Sequence, residues 1–176
     1  MKLITKAKEI LIAVWEPNSE TYPTSGDALD YVIADTLSVN QDDAESQNFE
    51  FETTDTPEVF YTAGAYQVDL NNAELAESYM TKIMGWEKIT DPEGVVAPET
   101  YASRYVALQV KFDDDDYFFI PRISVAPKLV MESVKTNLVY GTLSGTATNA
   151  TVGGRKTSIC RVKTPVMTKT VAGAGA

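Results

Sequence analysis

The sequence predicts a mainly-β fold, an antiparallel β-sandwich or barrel with one flanking α-helix and long loops or arms. Along most of the chain, apolar residues fall in short continuous runs or alternate with polar ones, and only residues 73–84 carry the spacing of a helix face. Clusters of glycine, proline, asparagine and serine interrupt these runs at short intervals, which is the punctuation of hairpins. A chain of 176 residues is long enough for one full core. We read it as a single domain: an N-terminal strand and loop (1–35), a β core (36–164) and a C-terminal arm (165–176).

The first strand is 10–15 (Ile10, Leu11, Ile12, Ala13, Val14, Trp15), apolar throughout and therefore covered on both faces. Its shortness favours strand over helix. Residues 17–30, with Asn18, Pro23, Ser25 and Gly26, read as a long loop. β-prone residues resume at 31–39. A polar stretch at 40–48 then leads to 49–53, where Phe49 and Phe51 alternate with Glu50 and Glu52 in a half-buried strand with an acidic outer face. Thr54, Asp55 and Pro57 break the chain before 59–70, which sets Phe60, Thr62, Tyr66, Val68 and Leu70 on one face, with Gly64 marking a bulge or tight bend. The helix, 73–84, takes Asn71 or Asn72 as its cap and Glu74 and Glu77 in its first turns. It buries Leu75, Tyr79, Met80, Ile83 and Met84 and ends at Gly85 in the left-handed conformation. Residues 90–102 read as a second loop. Two strands, 104–112 and 117–125, form a hairpin around the acidic turn 113–116. A further β-prone run covers 129–142, and a last strand, 157–163, follows a turn at Gly153 and Gly154.

Composition narrows the function. With 44% hydrophobic and 23% charged residues and no run of 18 apolar ones, the chain reads as a soluble globular protein without a membrane span or a secretory leader. Histidine is absent and Cys160 is the single cysteine, which excludes histidine acid–base catalysis, Cys–His nucleophile pairs, Cys/His zinc sites and any intrachain disulfide. The net charge of -10 divides unevenly: residues 1–117 hold 24 of the 25 acids but 7 of the 15 bases. Such a division predicts either a basic tail or two complementary faces.

No constellation of residues supports catalysis. Asp113, Asp114, Asp115 and Asp116 lack the alternating ligands and the glycine of a calcium loop, and read as a solvated hairpin tip. Glu50 and Glu52 share one side of a strand, but no sugar platform accompanies them. Cys160 reads as a buried, inert thiol. The stretch Gly141-Thr142-Leu143-Ser144-Gly145 lacks the lysine of a phosphate loop. The bases of the last third are dispersed and aromatics are sparse among them, which argues against a nucleic-acid reader. The expectation is a protein that is not an enzyme and uses no cofactor or metal.

The order of elements between residues 40 and 86 carries a resemblance. The acidic loop Gln41-Asp42-Asp43-Ala44-Glu45 is followed by the alternating strand Phe49-Glu50-Phe51-Glu52-Thr53 and the break Thr54-Asp55-Thr56-Pro57. A strand from Phe60 to Leu70 then runs directly into one helix. Together they resemble the major tail proteins of tailed bacteriophages, the subunits of the tail tube. Ile120-Pro121-Arg122-Ile123, Pro127-Lys128-Leu129 and residues 138–146 extend the likeness, which spans residues 35–164.

The resemblance implies a β-sandwich or barrel assembled as hexameric rings that stack into a tube, through which the genome leaves the virion. Loops and terminal arms join each ring to the next. The implied partners are the protein itself, tape-measure, tail-terminator and baseplate or tip proteins, and DNA in passage, with no membrane. The implied location is the virion, after synthesis in the host bacterial cytoplasm. Rings that stack without closing need complementary ends. Asp42, Asp43, Glu45, Asp55 and Glu58 are expected at one end, against Arg122, Lys128, Arg155 and Lys156 at the other. DNA slides past a wall that is not basic, and Glu50, Glu52 and Asp69 are expected to line it. The same pattern also admits the inner tube of a contractile injection machine, a capsid decoration protein, or a carbohydrate-binding sandwich, the last of which needs an exposed row of aromatics.

Overall fold

A computed structural model describes residues 7–33, 36–51, 54–100, 104–113, 115–131 and 139–171, with side chains described for all of these except 48–51, 54–58 and 113. The chain is mostly β, 59% strand and 4% helix, as the alternation of short apolar runs predicts. In chain order the elements are β1 (Glu9–Val14), β2 (Ser25–Ala28), β3 (Ser38–Gln41), β4 (Glu45–Phe51), β5 (Thr54–Thr62), β6 (Tyr66–Asn72), α1 (Glu77–Lys82), β7 (Glu87–Thr90) and β8 (Glu93–Val96). They continue as β9 (Arg104–Asp113), β10 (Asp116–Met131), β11 (Val139–Ala147), β12 (Ala150–Val152), β13 (Arg155–Thr157), β14 (Cys160–Val162) and β15 (Thr168–Lys169).

A nine-stranded sheet holds the order β15-β2-β1-β9-β10-β11-β6-β3, with β14 beside the first part of β10. Its pairs are antiparallel except for β15 on β2. The apolar run β1 sits inside this sheet between β2 and β9, so its side chains are covered on both faces and no polar alternation is needed. Three two-stranded hairpins, β4–β5, β7–β8 and β12–β13, stand apart from it.

The long strand β10 changes phase within the sheet. Ile120 pairs with Leu108 and Ile123 with Val106, so Pro121 and Arg122 together oppose Ala107 alone. This is a β-bulge, and proline suits it because the extra residue owes the ladder no N–H. On the helix-side face the bulge moves the buried positions from the even residue Ile120 to the odd residues Ile123 and Val125 without turning the strand over. The free Pro121 carbonyl accepts a hydrogen bond from the Trp15 indole at 2.7 Å.

Both faces carry a core. One packs Ile10, Ile12, Val68, Leu70, Val106, Leu108, Ile123 and Leu143 beneath Tyr79, Ile83 and Met84 of the helical segment. On the other face Leu11, Ala13, Trp15, Ala107 and Phe119 are covered by the returning C-terminal segment, where Met167 is 1% exposed. That segment is clamped by one buried side chain. The Gln109 amide accepts the backbone N–H groups of Val166 and Met167, each at 2.8 Å, and donates to the Met167 carbonyl at 2.9 Å. Beside it, Arg161 of β14 holds Asp116 of β10 with two short contacts of 2.6 and 2.7 Å. The acidic turn is therefore more than a solvated tip.

The helix is shorter than its periodicity predicts. Asn71 and Asn72 finish β6, and helical geometry begins only after Ala76. Asn72 is 1% exposed, and its amide bridges the Glu74 backbone, with the Nδ2 donor bond at 2.9 Å, which fixes a turn ahead of the helix instead of capping it. Gly85 has φ 77°, the left-handed exit that its position predicts. The stretch expected as one strand over 59–70 divides into β5 and β6, and the loop expected over 90–102 begins at the end of β7 and contains β8, its hairpin partner. The last strand divides likewise into β13 and β14.

Two outcomes follow from these contacts. Gln109→Ala strands three backbone groups of the C-terminal segment and lowers stability by about 2–4 kcal/mol. A denaturant melt measures that loss, and faster tryptic cleavage after Lys163 and Lys169 locates it. Burial raises the Tyr79 phenol from 10.0 to about 12 despite its hydrogen bond with Asn72. Its contribution to stability is whole below pH 10, where the unfolded phenol begins to ionise, and is lost as pH rises to about 12. Tyr79→Phe therefore flattens the alkaline limb of stability against pH while costing about 1 kcal/mol at neutral pH.

Candidate functional site

Past the bulge, the sheet face opposite α1 is polar. The register sets three rows across it: Ser124, Thr146, Gln67 and Asn40; Ala126, Ser144, Asp69 and Ser38; Lys128, Thr142 and Asn71. None of these side chains is buried, and Asn40, Ala126, Lys128 and Ser144 are exposed. Neighbours in a row bond directly across the strands, Thr146 donating to the Gln67 amide oxygen at 2.8 Å and Ser144 donating to the Asp69 carboxylate. The result is a surface of hydroxyls, amides and small methyl groups, with one carboxylate and one ammonium.

From the edge of this face rises the β4–β5 hairpin. β3 passes into β4 and β5 into β6, and Asp42 continues the pairing by donating its N–H to Ala65 O at 2.8 Å. The crossover is tight: a Cβ at Gly64 would collide with the carbonyls of Asp42 and Asp43. Two amides brace it, Gln41 Nε2 to Gly64 O at 3.3 Å and Gln67 Nε2 to Asp42 Oδ2 at 2.9 Å. Gln67 thus joins the base of the hairpin to the polar face. Residues 41–47 and 59–63 are all exposed. Between Lys8 and Lys82 the chain contains no lysine or arginine, so the hairpin cannot balance its own acids.

The predicted residues are distributed as follows. Asp42, Asp43 and Glu45 are exposed at the base and start of the hairpin. Asp55 and Glu58 lie on β5 and Glu50 on β4, their side chains outside the described set, and Glu52 lies outside the described residues. Asp69 and Lys128 share the polar face. Arg155 and Lys156 are exposed just after the tight turn at Gly153 and Gly154. Their hairpin leaves the sheet beyond Ala147, at the level where β3 passes into β4, while Lys128 lies toward the other end of β10. The four bases therefore do not form one end opposite the acids. Arg122 sits at the bulge with its guanidinium 4.0 Å from the Tyr105 ring centroid and 5.3 Å from that of Trp15. Stacked there, it holds the bulge to β9 and to the segment after β1.

Sequence reasoning missed the polar ladder itself. Its signal is the small-polar alternation Thr142, Ser144, Thr146 in β11, matched by Gln67, Asp69 and Asn71 in β6. Chemically the face offers weak, reversible hydrogen bonding and little net charge. Among the described residues no group of His, Cys, Asp or Glu is placed to hold a metal. Cys160 is half-buried, and burial raises its pKa, which keeps it a thiol. No family model matches the chain, and no curated protein matches it in sequence.

Gly64→Ala tests the crossover. The methyl group meets rigid backbone, so we expect the β4–β5 hairpin to detach, with new protease cleavage between residues 42 and 65 and a melting temperature lowered by several degrees.

Proposed function

We propose that the protein is a structural building block, the subunit of a phage tail tube, in which rings of this chain stack and genomic DNA passes through the bore. The observation that carries this reading is the joining, through Gln67, of a weakly charged polar sheet face to a base-free acidic hairpin. The face meets the demand of a conduit wall. It keeps water bound through hydroxyls and amides, and its carboxylate and ammonium offset one another, so it gives phosphates no cationic stripe to release counterions onto. The hairpin meets the demand of a joint, because it projects from the sheet and needs a complementary surface on another copy.

In this reading Asp69 lines the bore, with Glu50 and Glu52 beyond it, and Asp42, Asp43, Glu45, Asp55 and Glu58 belong to the joint. Lys128, toward the other end of β10, is the base available to oppose them, whereas Arg155 and Lys156 lie at the hairpin's own level and Arg122 serves the bulge. The partners are further copies of the chain, the proteins that measure and terminate the tail, and DNA in passage; the place of action is the virion. The expected ring is a hexamer.

The joint is tested by replacing Asp42, Asp43 and Glu45 with lysine. These side chains are exposed, so the subunit stays folded, at a slightly lower melting temperature because the Gln67–Asp42 bond is lost, while reversal of the charge blocks ring stacking. Electron microscopy of the triple variant should show rings or single subunits and no tubes. Tubes of normal length would remove the acidic hairpin from the joint.

A further inference from the structure

The acids at the base of the β4–β5 hairpin have bases at their own height on the sheet. That hairpin leaves just past the Thr146–Gln67 row, where Asp42 N donates to Ala65 O. The β12–β13 hairpin leaves at the same height: Ala147 pairs with Ile123, Thr148 N donates to Arg122 O, and the chain rejoins β10 where Cys160 pairs with Phe119. Sideways the two hairpins are apart. The acidic one springs from β3 and β6, the last strands of the sheet order, whereas Ala150 and Val152 of β12 lie against Leu11, Ala13, Trp15 and Ala107, on the side of β1 and β9.

Neither hairpin finds its countercharge within its own chain. Asp43, Glu45, Arg155 and Lys156 are exposed, and none of them makes an ion pair among the described residues. Nor do their own segments supply one, because no base lies between Lys8 and Lys82 and no acid follows Glu132. Asp42 differs, since Gln67 already donates to its carboxylate. The two bases are also held in place. Gly153 and Gly154, at φ 57° and 77°, form a two-residue hairpin turn that presents Arg155 and Lys156 at the start of β13, and a Cβ at either glycine would meet nothing within 4 Å.

Height decides how two copies can satisfy these charges. Groups at opposite ends of the strands meet when copies stack, but groups at one height on opposite flanks of a sheet meet when copies stand side by side. Such a contact is heterologous, and repeated by rotation it closes a ring. Opposite charges left unpaired in the single chain steer that encounter and fix its register.

Resting on the ring-stacking reading, we propose that Asp43 and Glu45 of one copy pair with Arg155 and Lys156 of its neighbour in the same ring. The base of the hairpin thereby closes the ring, and its outer part, where Phe51 pairs with Thr54 and Asp55 follows, is left to reach the next one.

Three full-length variants test the pairing: Asp43→Lys with Glu45→Lys, Arg155→Glu with Lys156→Glu, and all four changes in one chain. The four side chains are exposed and unpaired, so melting curves close to wild type are the control for folding. Native mass spectrometry counts the copies in each assembly. Each two-site variant should need about tenfold or more protein to form rings, whereas the four-site variant, with its charges exchanged, should form them at the wild-type concentration. Added salt should weaken wild-type and four-site rings alike. Rings of Arg155→Glu, Lys156→Glu at the wild-type concentration, stacked or not, overturn the proposal and leave ring stacking standing, and so does a four-site variant that stays a single subunit. A wild-type protein that stays a single subunit at every concentration removes the ring-stacking reading and the pairing with it.

Discussion

The bulge at Pro121 and Arg122 is the constraint on which the rest of the structure depends. Two residues of β10 opposite one residue of β9 shift the strand's alternation by one, so that Ile123 and Val125 continue the core begun by Ile120. Without the shift, Ser124, Ala126 and Lys128 would point under the helix, and the partners that β11 and β6 supply to them would be buried as well. The bulge is held from three sides. Trp15 donates to the Pro121 carbonyl, Thr148 N donates to the Arg122 carbonyl at 2.8 Å, and the Arg122 guanidinium lies over Tyr105. A position that reads in sequence as a base free for a partner is thus committed to internal geometry.

From that shift follows the division of labour between the two faces. The face under the helix is apolar over β1, β9, β10, β11 and β6, with Asp27 of β2 at its margin paired to Lys82. The opposite face is apolar over β1, β9 and the start of β10, where the C-terminal segment covers it, then carries the three polar rows, and ends on Val130 and Tyr140. The clamp at Gln109 and the bond from Gln67 to Asp42 serve corresponding ends of this second face. One brings the C-terminal segment down onto apolar residues, and the other carries the polar rows out into the hairpin. The uneven charge along the sequence acquires a structural meaning here. The base-free stretch contains β1 to β6 and the start of α1, including the whole projecting hairpin, while the later bases are spread over α1, β7, β9, β10, β13, β14 and β15.

Much of the fold was legible in the residues, for physical reasons that also mark where legibility ends. The apolar run of β1, the hairpin of β9 and β10 and the left-handed Gly85 each follow from a local rule, and all three stand. The helix start was misplaced because Asn72 satisfies the Glu74 backbone just as a cap would, yet does so from the end of a strand. The β7–β8 hairpin was hidden in a segment rich in proline and glycine, and the break at Gly64 was visible while its cause, the close approach of Asp42, was not. In the candidate site, the exposed acids Asp42, Asp43 and Glu45 were readable from composition. The polar rows were not, because a row is made by register between strands far apart in sequence, as when Ser144 meets Asp69.

The central claim is that the polar face of β10, β11, β6 and β3 is the inner wall of a tube built from copies of this chain. Cryo-electron microscopy of the concentrated wild-type protein tests it most directly. The account predicts hollow tubes of stacked rings, with Asp69, Ser144 and Lys128 facing the bore and the β4–β5 hairpin crossing into the next ring. Tubes whose bore is lined by the helical side of the sheet, or a protein that remains a single subunit, would contradict it.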